Sequence, residues 1–221
     1  MKISKYISSS IGKKQIIAFS GLVLIAIFIL PHLLGNLQIL RGAQAFNGYA
    51  KLLHSMGFVL EIIEAFFALM FVVHIVFTII LVTENFRARS IRYKSAIASE
   101  PRSFASRMMP YTGAIILLFL VVHLYDFAFA KEAATSCVWR GEDLGLYGMV
   151  MNSFANPWRL GGYAFIMLIV GLHLSHALQS ALQTLNLRPG RYVFWFNLLS
   201  YFLGISVTVG FVSIIIYAVV H

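Results

Sequence analysis

Cysteine occurs once in the chain, at Cys137. A lone thiol excludes an intramolecular disulfide, leaves no C-x-x-C-H for covalent haem attachment and supplies no ligand set for an iron–sulfur cluster. Charge is scarce as well. Charged side chains make up 11% of the 221 residues against 60% hydrophobic, and eight acidic residues face seventeen basic ones. Those proportions exclude an ordinary soluble domain. The net charge of +9 does not point to nucleic acid, because the basic residues lie between apolar runs and not along one solvent face. They read as determinants of membrane topology. The first apolar run has no A-x-A-like cleavage site after Lys13 and Lys14, so it reads as a retained span and not a signal peptide. No tandem repeat is evident.

What is present in abundance is apolar sequence in runs of bilayer length. Five runs, at about 15–37, 58–83, 109–129, 158–184 and 192–220, each exceed the ~20 residues that cross the hydrocarbon as a helix. The expected fold is therefore an all-α integral membrane protein with five transmembrane helices, the first four forming the bundle that would enclose a cofactor, in one domain over residues 1–221. Between the first two spans, RGAQAFNGYAKLLHSMG is amphipathic and suits the interface. ENFRARSIRYKSAIASEPRSFASR is the most basic loop, and Pro189-Gly190 marks a tight turn before the last span.

The Lys and Arg residues fix an expected orientation. Lys2, Lys5, Lys13, Lys14, Arg87, Arg89, Arg92, Lys94, Arg102, Arg107, Arg188 and Arg191 fall on one side, and Arg41, Lys51, Lys131, Arg140 and Arg159 on the other. The excess places the N-terminus in the cytoplasm and the C-terminus outside.

Four histidines sit inside four successive spans: His32 in ILPHLLGN, His74 in FVVHIVF, His123 in LVVHLYD and His173 in VGLHLSH. An ionisable ring in hydrocarbon is costly unless paired, so each marks a functional site by default. Taken singly, each has the ordinary alternative of a hydrogen bond between helices. Taken together they fall at two depths, because helical rise is about 1.5 Å per residue. His32 and His123 belong to the outer half, His74 and His173 to the inner half. Histidines facing one another across a bundle suit the two axial positions of a haem. With no covalent attachment motif, each haem is b-type, and two axial histidines leave the iron built for electron transfer. His176, one turn from His173, is a competitor that spacing alone does not remove.

The chain resembles the cytochrome b membrane-anchor subunit of succinate:quinone oxidoreductase (succinate dehydrogenase or fumarate reductase), in its single-chain, five-helix, di-haem type. The resemblance rests on S-S-S-I-G-K-K and P-H-L-L-G-N-L-Q in and before the first span, A-F-N-G-Y-A-K-L-L-H after it, and V-H-I-V-F with E-N-F-R-A-R in the second. A-S-R-M-M-P-Y-T-G, V-V-H-L-Y-D and G-L-H-L-S-H-A-L-Q-S complete it. It implies two haem b groups, the outer on His32 and His123 and the inner on His74 and His173, choosing His173 over His176. It also implies electron transfer between an iron–sulfur subunit and a membrane quinone, menaquinone before ubiquinone. A flavoprotein carrying FAD would complete the complex on the cytoplasmic side of a bacterial inner membrane, working in the tricarboxylic acid cycle. An oligomer of the whole complex is compatible with this reading. No dicarboxylate site is expected in this chain.

Glu61 and Glu64, one turn apart at the outer start of the second span, are candidates for proton uptake in quinone chemistry. Gln38, Arg41, Asn47 and His54 are candidates to line an outer quinone pocket. Asp126, one turn beyond His123, suits proton handling or the capping of polar groups near the outer haem. Ser20 and Ser175 suit bonds between helices, and Gly21, Gly113 and Gly171 suit room for porphyrin faces. Trp158, Trp195 and Tyr192 suit an interfacial aromatic belt. Two other functions fit the composition: a di-haem anchor for a hydrogenase or formate dehydrogenase, and a haem-free proton-coupled transporter using the histidines as relays.

Overall fold

The structure is a computed structural model, and it describes residues 3–88, 104–130 and 136–221. Lys2, Lys131 and the Arg89, Arg92, Lys94 and Arg102 of the basic loop lie outside the described residues. Among those described, five helices are long and apolar enough to cross a membrane: span I, Ser10–Arg41; span II, Phe58–Arg87; span III, Ser106–Ala128; span IV, Pro157–Thr184; and span V, Gly190–Val220. The protein is an all-α integral membrane protein. Without water, backbone N–H and C=O groups must be satisfied within the segment, and a continuous helix does this.

Span I starts earlier and ends later than its apolar run. The Ser9 hydroxyl accepts from the Gly12 N–H at 3.1 Å, capping the first turn. The buried Lys13 ammonium then pairs with Glu84 near the far end of span II. A polar opening turn is thus carried as helix because its charge has a partner.

The same span changes pitch on the way. Leu24–Ile29 is a π-helical segment, Leu30–Asn36 returns to α with Pro31 in its first turn, and Leu37–Arg41 tightens to a 3-10 helix. Proline has no N–H and its ring crowds the carbonyl four residues back. Widening the preceding turn accommodates that crowding just before His32. Gly42 ends the helix at φ 91°, a conformation that a side chain would resist. Span III also widens, into a π segment at Leu124–Ala128 immediately after His123.

Span IV is central. It packs along span V, against the first half of span I and against span III, while span II packs on span I. Ile25 and Leu33 of span I, Met167, Val170 and Leu174 of span IV, and Val207 and Ile214 of span V form the buried core. Span V, though it has no interior histidine, is a full member of that core. Its approach to span IV is set by two glycines. A Cβ on Gly171 would lie 2.7 Å from the Gly204 carbonyl oxygen, and one on Gly204 would meet Ser175 Oγ and the Gly171 carbonyl. The Thr208 hydroxyl crosses the same contact to the Met167 carbonyl at 3.1 Å. Gly171 therefore serves helix crossing and does not open space for a porphyrin face. Ser175 donates to the Gly171 carbonyl of its own span at 2.8 Å.

At the end of the bundle where spans I and III finish, the helix Ala43–His54 meets the helix Gly145–Phe154. Asn47 joins them through both its amide atoms, donating to the Leu144 carbonyl at 2.9 Å and accepting from the Tyr147 N–H at 3.0 Å. Val138–Trp139 and Glu142–Asp143 pair as a short antiparallel ladder in front of the second helix. Tyr147 donates to the Tyr217 hydroxyl of span V at 3.3 Å. Burial and that bond push its phenol up to about 12.

Candidate functional site

The four intramembrane histidines converge as two pairs. In the first, His32 of span I and His123 of span III have ring centroids 5.9 Å apart with their planes at 88°. Aromatic side chains surround them. Phe28 stacks on His32 at 5.2 Å, Phe119 lies 5.5 Å and Phe127 5.3 Å from His123, and Phe211 of span V sits 5.9 Å from His32. His123 Nδ1 is buried with no hydrogen-bond partner among the described residues. His32 Nε2 has only the Asn36 amide at 3.5 Å, and that amide already donates to the His32 carbonyl at 2.8 Å.

The second pair is His74 of span II and His173 of span IV, with His176 one turn further along span IV. Each ring of this pair is held by a hydroxyl from another span. His74 Nδ1 is 3.2 Å from Ser20 Oγ of span I and 3.2 Å from the Ile17 carbonyl. His173 Nδ1 is 2.9 Å from Thr112 Oγ1 of span III.

Those contacts assign the tautomers. Ser20 directs its one hydroxyl proton to the Ile16 or Ile17 carbonyl, at 2.8 and 3.1 Å. Thr112 directs its own to the Met109 or Met108 carbonyl, at 3.1 and 3.2 Å. With the hydroxyl protons on those carbonyls, both oxygens accept from the rings, and His74 and His173 then carry their protons on Nδ1 and leave Nε2 free to bind a metal. His176 makes no hydrogen bond among the described residues.

Glycines adjoin both hydroxyls. A Cβ on Gly21 would lie 3.3 Å from His74 Cε1, and one on Gly113 would lie 3.5 Å from His173 Cε1. The sequence motif for the second is P-Y-T-G, and for the first F-S-G. Sequence reasoning placed Ser20 between helices and named both glycines, but missed Thr112, because only the rotation of span III aims its hydroxyl at span IV.

This donor set fits haem. Among the described residues no group of three or more His, Cys, Asp or Glu converges to hold a bare metal ion. Pairs are what a porphyrin-held iron requires when both axial positions come from protein. Metal-bound imidazoles characteristically donate their second N–H to a protein acceptor, as His74 and His173 do.

Beyond His123, a polar network closes the same end of the bundle. Asp126 Oδ1 pairs with Arg159 Nη2 at 2.9 Å, and Oδ2 accepts from the Tyr163 hydroxyl at 2.9 Å. Arg159 also donates to Ser153 Oγ at 3.1 Å. A cavity of about 480 Å³ opens beside this network, lined by Asp126, Arg159, Asn152, Ser153, Tyr125 and Phe129 among others. Trp158, beside Arg159 on span IV, is exposed, as are Trp195 and Tyr192 at the start of span V.

The remaining candidates lie elsewhere. Glu61 and Glu64 are exposed on span II, and Gln38, Arg41, Asn47 and His54 do not line the cavity. Gln38 accepts from Arg41 at 3.2 Å, His54 Nδ1 is 2.8 Å from the Ala50 carbonyl, and Asn47 is occupied as a clip. Tyr163 and Arg159 of the polar network were not singled out by sequence as site residues. The only signal was Arg159 beside Pro157 at a span's start.

No protein-family model matches the chain, and no solved structure matches it. Among curated proteins, it is 27% identical over 162 residues to the succinate dehydrogenase cytochrome b558 subunit of Bacillus subtilis (strain 168), covering 72% of each chain.

Proposed function

We propose that the chain is a di-haem cytochrome b that anchors a succinate dehydrogenase or fumarate reductase in the membrane and exchanges electrons with a quinone. The observation that carries this reading is the grouping of four intramembrane histidines into two pairs, one with both Nε2 atoms bare and one with an orphaned buried nitrogen. The similarity to a succinate dehydrogenase cytochrome b558 subunit supports it independently.

His32 and His123 would hold the outer haem and His74 and His173 the inner one. Bound there, haem supplies one-electron carriage between an iron–sulfur subunit and the quinone. The chain's own residues position the rings, exclude water from them with Phe28, Phe119 and Phe127, and meet the quinone. Reduction of a quinone to a quinol takes up two electrons and two protons. The cavity beside Asp126 suits that partner, because Phe129, Ala130 and Met149 offer apolar contact while Asp126, Asn152, Ser153 and Arg159 offer polar groups. Arg159 offers donors to a quinone carbonyl, and Asp126 offers an acceptor to a quinol hydroxyl. The dicarboxylate chemistry belongs to a flavoprotein with FAD, which with the iron–sulfur subunit would dock on the cytoplasmic side. Menaquinone is the quinone this reading favours.

Haem content of the purified complex tests the assignment. Two b haems per chain are expected, falling to one or fewer in each of His32→Leu, His74→Leu, His123→Leu and His173→Leu, with His176→Leu unchanged. Variants of one pair should lose the same spectral component. A colourless complex, or four single variants with full haem content, overturns it. Co-purification of a flavin-containing partner, as opposed to a nickel- or molybdenum-containing one, tests the choice of complex.

A further inference from the structure

Two dipeptides on different spans do the same thing to two histidines. Ser20-Gly21 on span I faces His74, and Thr112-Gly113 on span III faces His173. In each the hydroxyl oxygen meets Nδ1 and the following glycine leaves space at Cε1. The hydroxyl proton is committed to a carbonyl of its own helix in both cases. Chance placement of one serine beside one histidine is ordinary. The repetition of hydroxyl, glycine and ring contact on a second pair of spans is not explained by helix packing alone.

We infer that Ser20-Gly21 and Thr112-Gly113 are matched positioning elements for the two inner haem ligands, the hydroxyl fixing the Nδ1–H tautomer and the glycine setting how close the span lies to the ring. This rests on the haem reading above. A hydrogen bond accepted from Nδ1–H makes the imidazole a stronger donor through Nε2. A stronger donor favours the oxidised iron, so the bond lowers the reduction potential of the inner haem. His74 has a second acceptor in the Ile17 carbonyl, whereas His173 has Thr112 as its one hydrogen-bond partner among the described residues. The two hydroxyls are therefore unequal in effect.

The glycines are unequal too. At 3.3 Å, a Cβ on Gly21 would force the His74 ring to give way, while at 3.5 Å one on Gly113 makes ordinary contact. Gly21→Ala should disturb the inner haem more than Gly113→Ala.

The test is a redox titration of the two haems in the assembled complex, following the spectral component lost in His173→Leu as the inner one. Thr112→Val keeps the side chain's shape and removes the acceptor, so the inner potential should rise, while the outer haem titrates as in the parent. Ser20→Ala should give a smaller rise of the same sign. Thr112→Ser should restore the parent value, which a purely structural role for the side chain would not require. If Thr112→Val does not assemble, Ser20→Ala and Gly21→Ala read the same property from the other ligand. An inner potential and low-spin ferric spectrum unmoved by Thr112→Val and Ser20→Ala overturn the inference while leaving the haem reading intact. A complex without b haem overturns both.

Discussion

At the scale of single residues, Asp126 occupies the position where burial, charge and access to a cavity meet. Its side chain is 3% exposed and is satisfied by Arg159 on one oxygen and Tyr163 on the other. Hydrogen bonds to charged groups are worth more than neutral ones, and removing one partner strands the other. Asp126→Asn keeps the shape and an acceptor for Tyr163 but removes the charge opposite Arg159. Quinone-linked turnover should fall on the order of tenfold or more, with haem content unchanged. Gln38→Ala, at a half-buried side chain bonded among the described residues only to its own helix and to Arg41, should leave turnover as it was. Equal losses in the two variants would argue that the quinone is met elsewhere. Asp143 is a different kind of acid. Bonds from the Ser136 hydroxyl and the Gly145 and Cys137 N–H groups hold its carboxyl below the usual value of 3.8. A lowered folded value adds stability that is full above 3.8 and is lost as pH falls from there through the lowered folded value. Amide exchange at Cys137 and Gly145 should therefore quicken, beyond its intrinsic pH dependence, on acidification below about pH 4.

At the scale of elements, the IV–V crossing is a close backbone approach with little room to relax. Gly204→Ala places a methyl against Ser175 Oγ and the Gly171 carbonyl, which are backbone or short side-chain atoms that cannot swing away. Overpacking of this kind costs about 1–3 kcal/mol. The detergent-solubilised protein should denature at a lower temperature, and Gly161→Ala, with nothing near its Cβ, should not. The contrast explains what the sequence made legible. Hydropathy alone located all five spans, because length and apolarity are one-dimensional properties. It stopped short at the polar ends, since the helix at Lys13 depends on Glu84 some seventy residues on. It also could not separate Gly171, a packing glycine, from Gly21 and Gly113, which face histidine rings. That difference is one of helix rotation, and a helix with lipid on one side and an apolar core on the other carries no polar stripe to reveal it. Asn47 was misjudged for the same reason: its partners, at Leu144 and Tyr147, are long-range.

At the scale of the whole molecule, orientation decides which histidine pair is inner and which is outer. The pairs themselves are a matter of contact and survive inversion; the side facing an iron–sulfur partner does not. Lys13 and Glu84 tie the start of span I to the end of span II, so the basic N-terminal arm and the start of the basic loop after span II share one face. Arg188, between spans IV and V, falls on that face as well and is fixed to Asn197 at 2.9 Å. Lysine and arginine near span ends are retained on the cytoplasmic side, and twelve against five is a decisive excess. With five crossings, the orientation proposed from that excess puts the end of span V outside. A fluorescent protein fused after His221 should be dark and an alkaline phosphatase fusion at the same place active, with the reverse for fusions in the loop between spans II and III. The opposite pattern would turn the bundle over, place His32 and His123 next to the cytoplasm, and move the Asp126 cavity to the side where the soluble partners dock. A quinone there would meet the iron–sulfur subunit directly and leave the second haem without a place in the path. Topology thus tests the proposed electron path through the chain separately from the haem ligands.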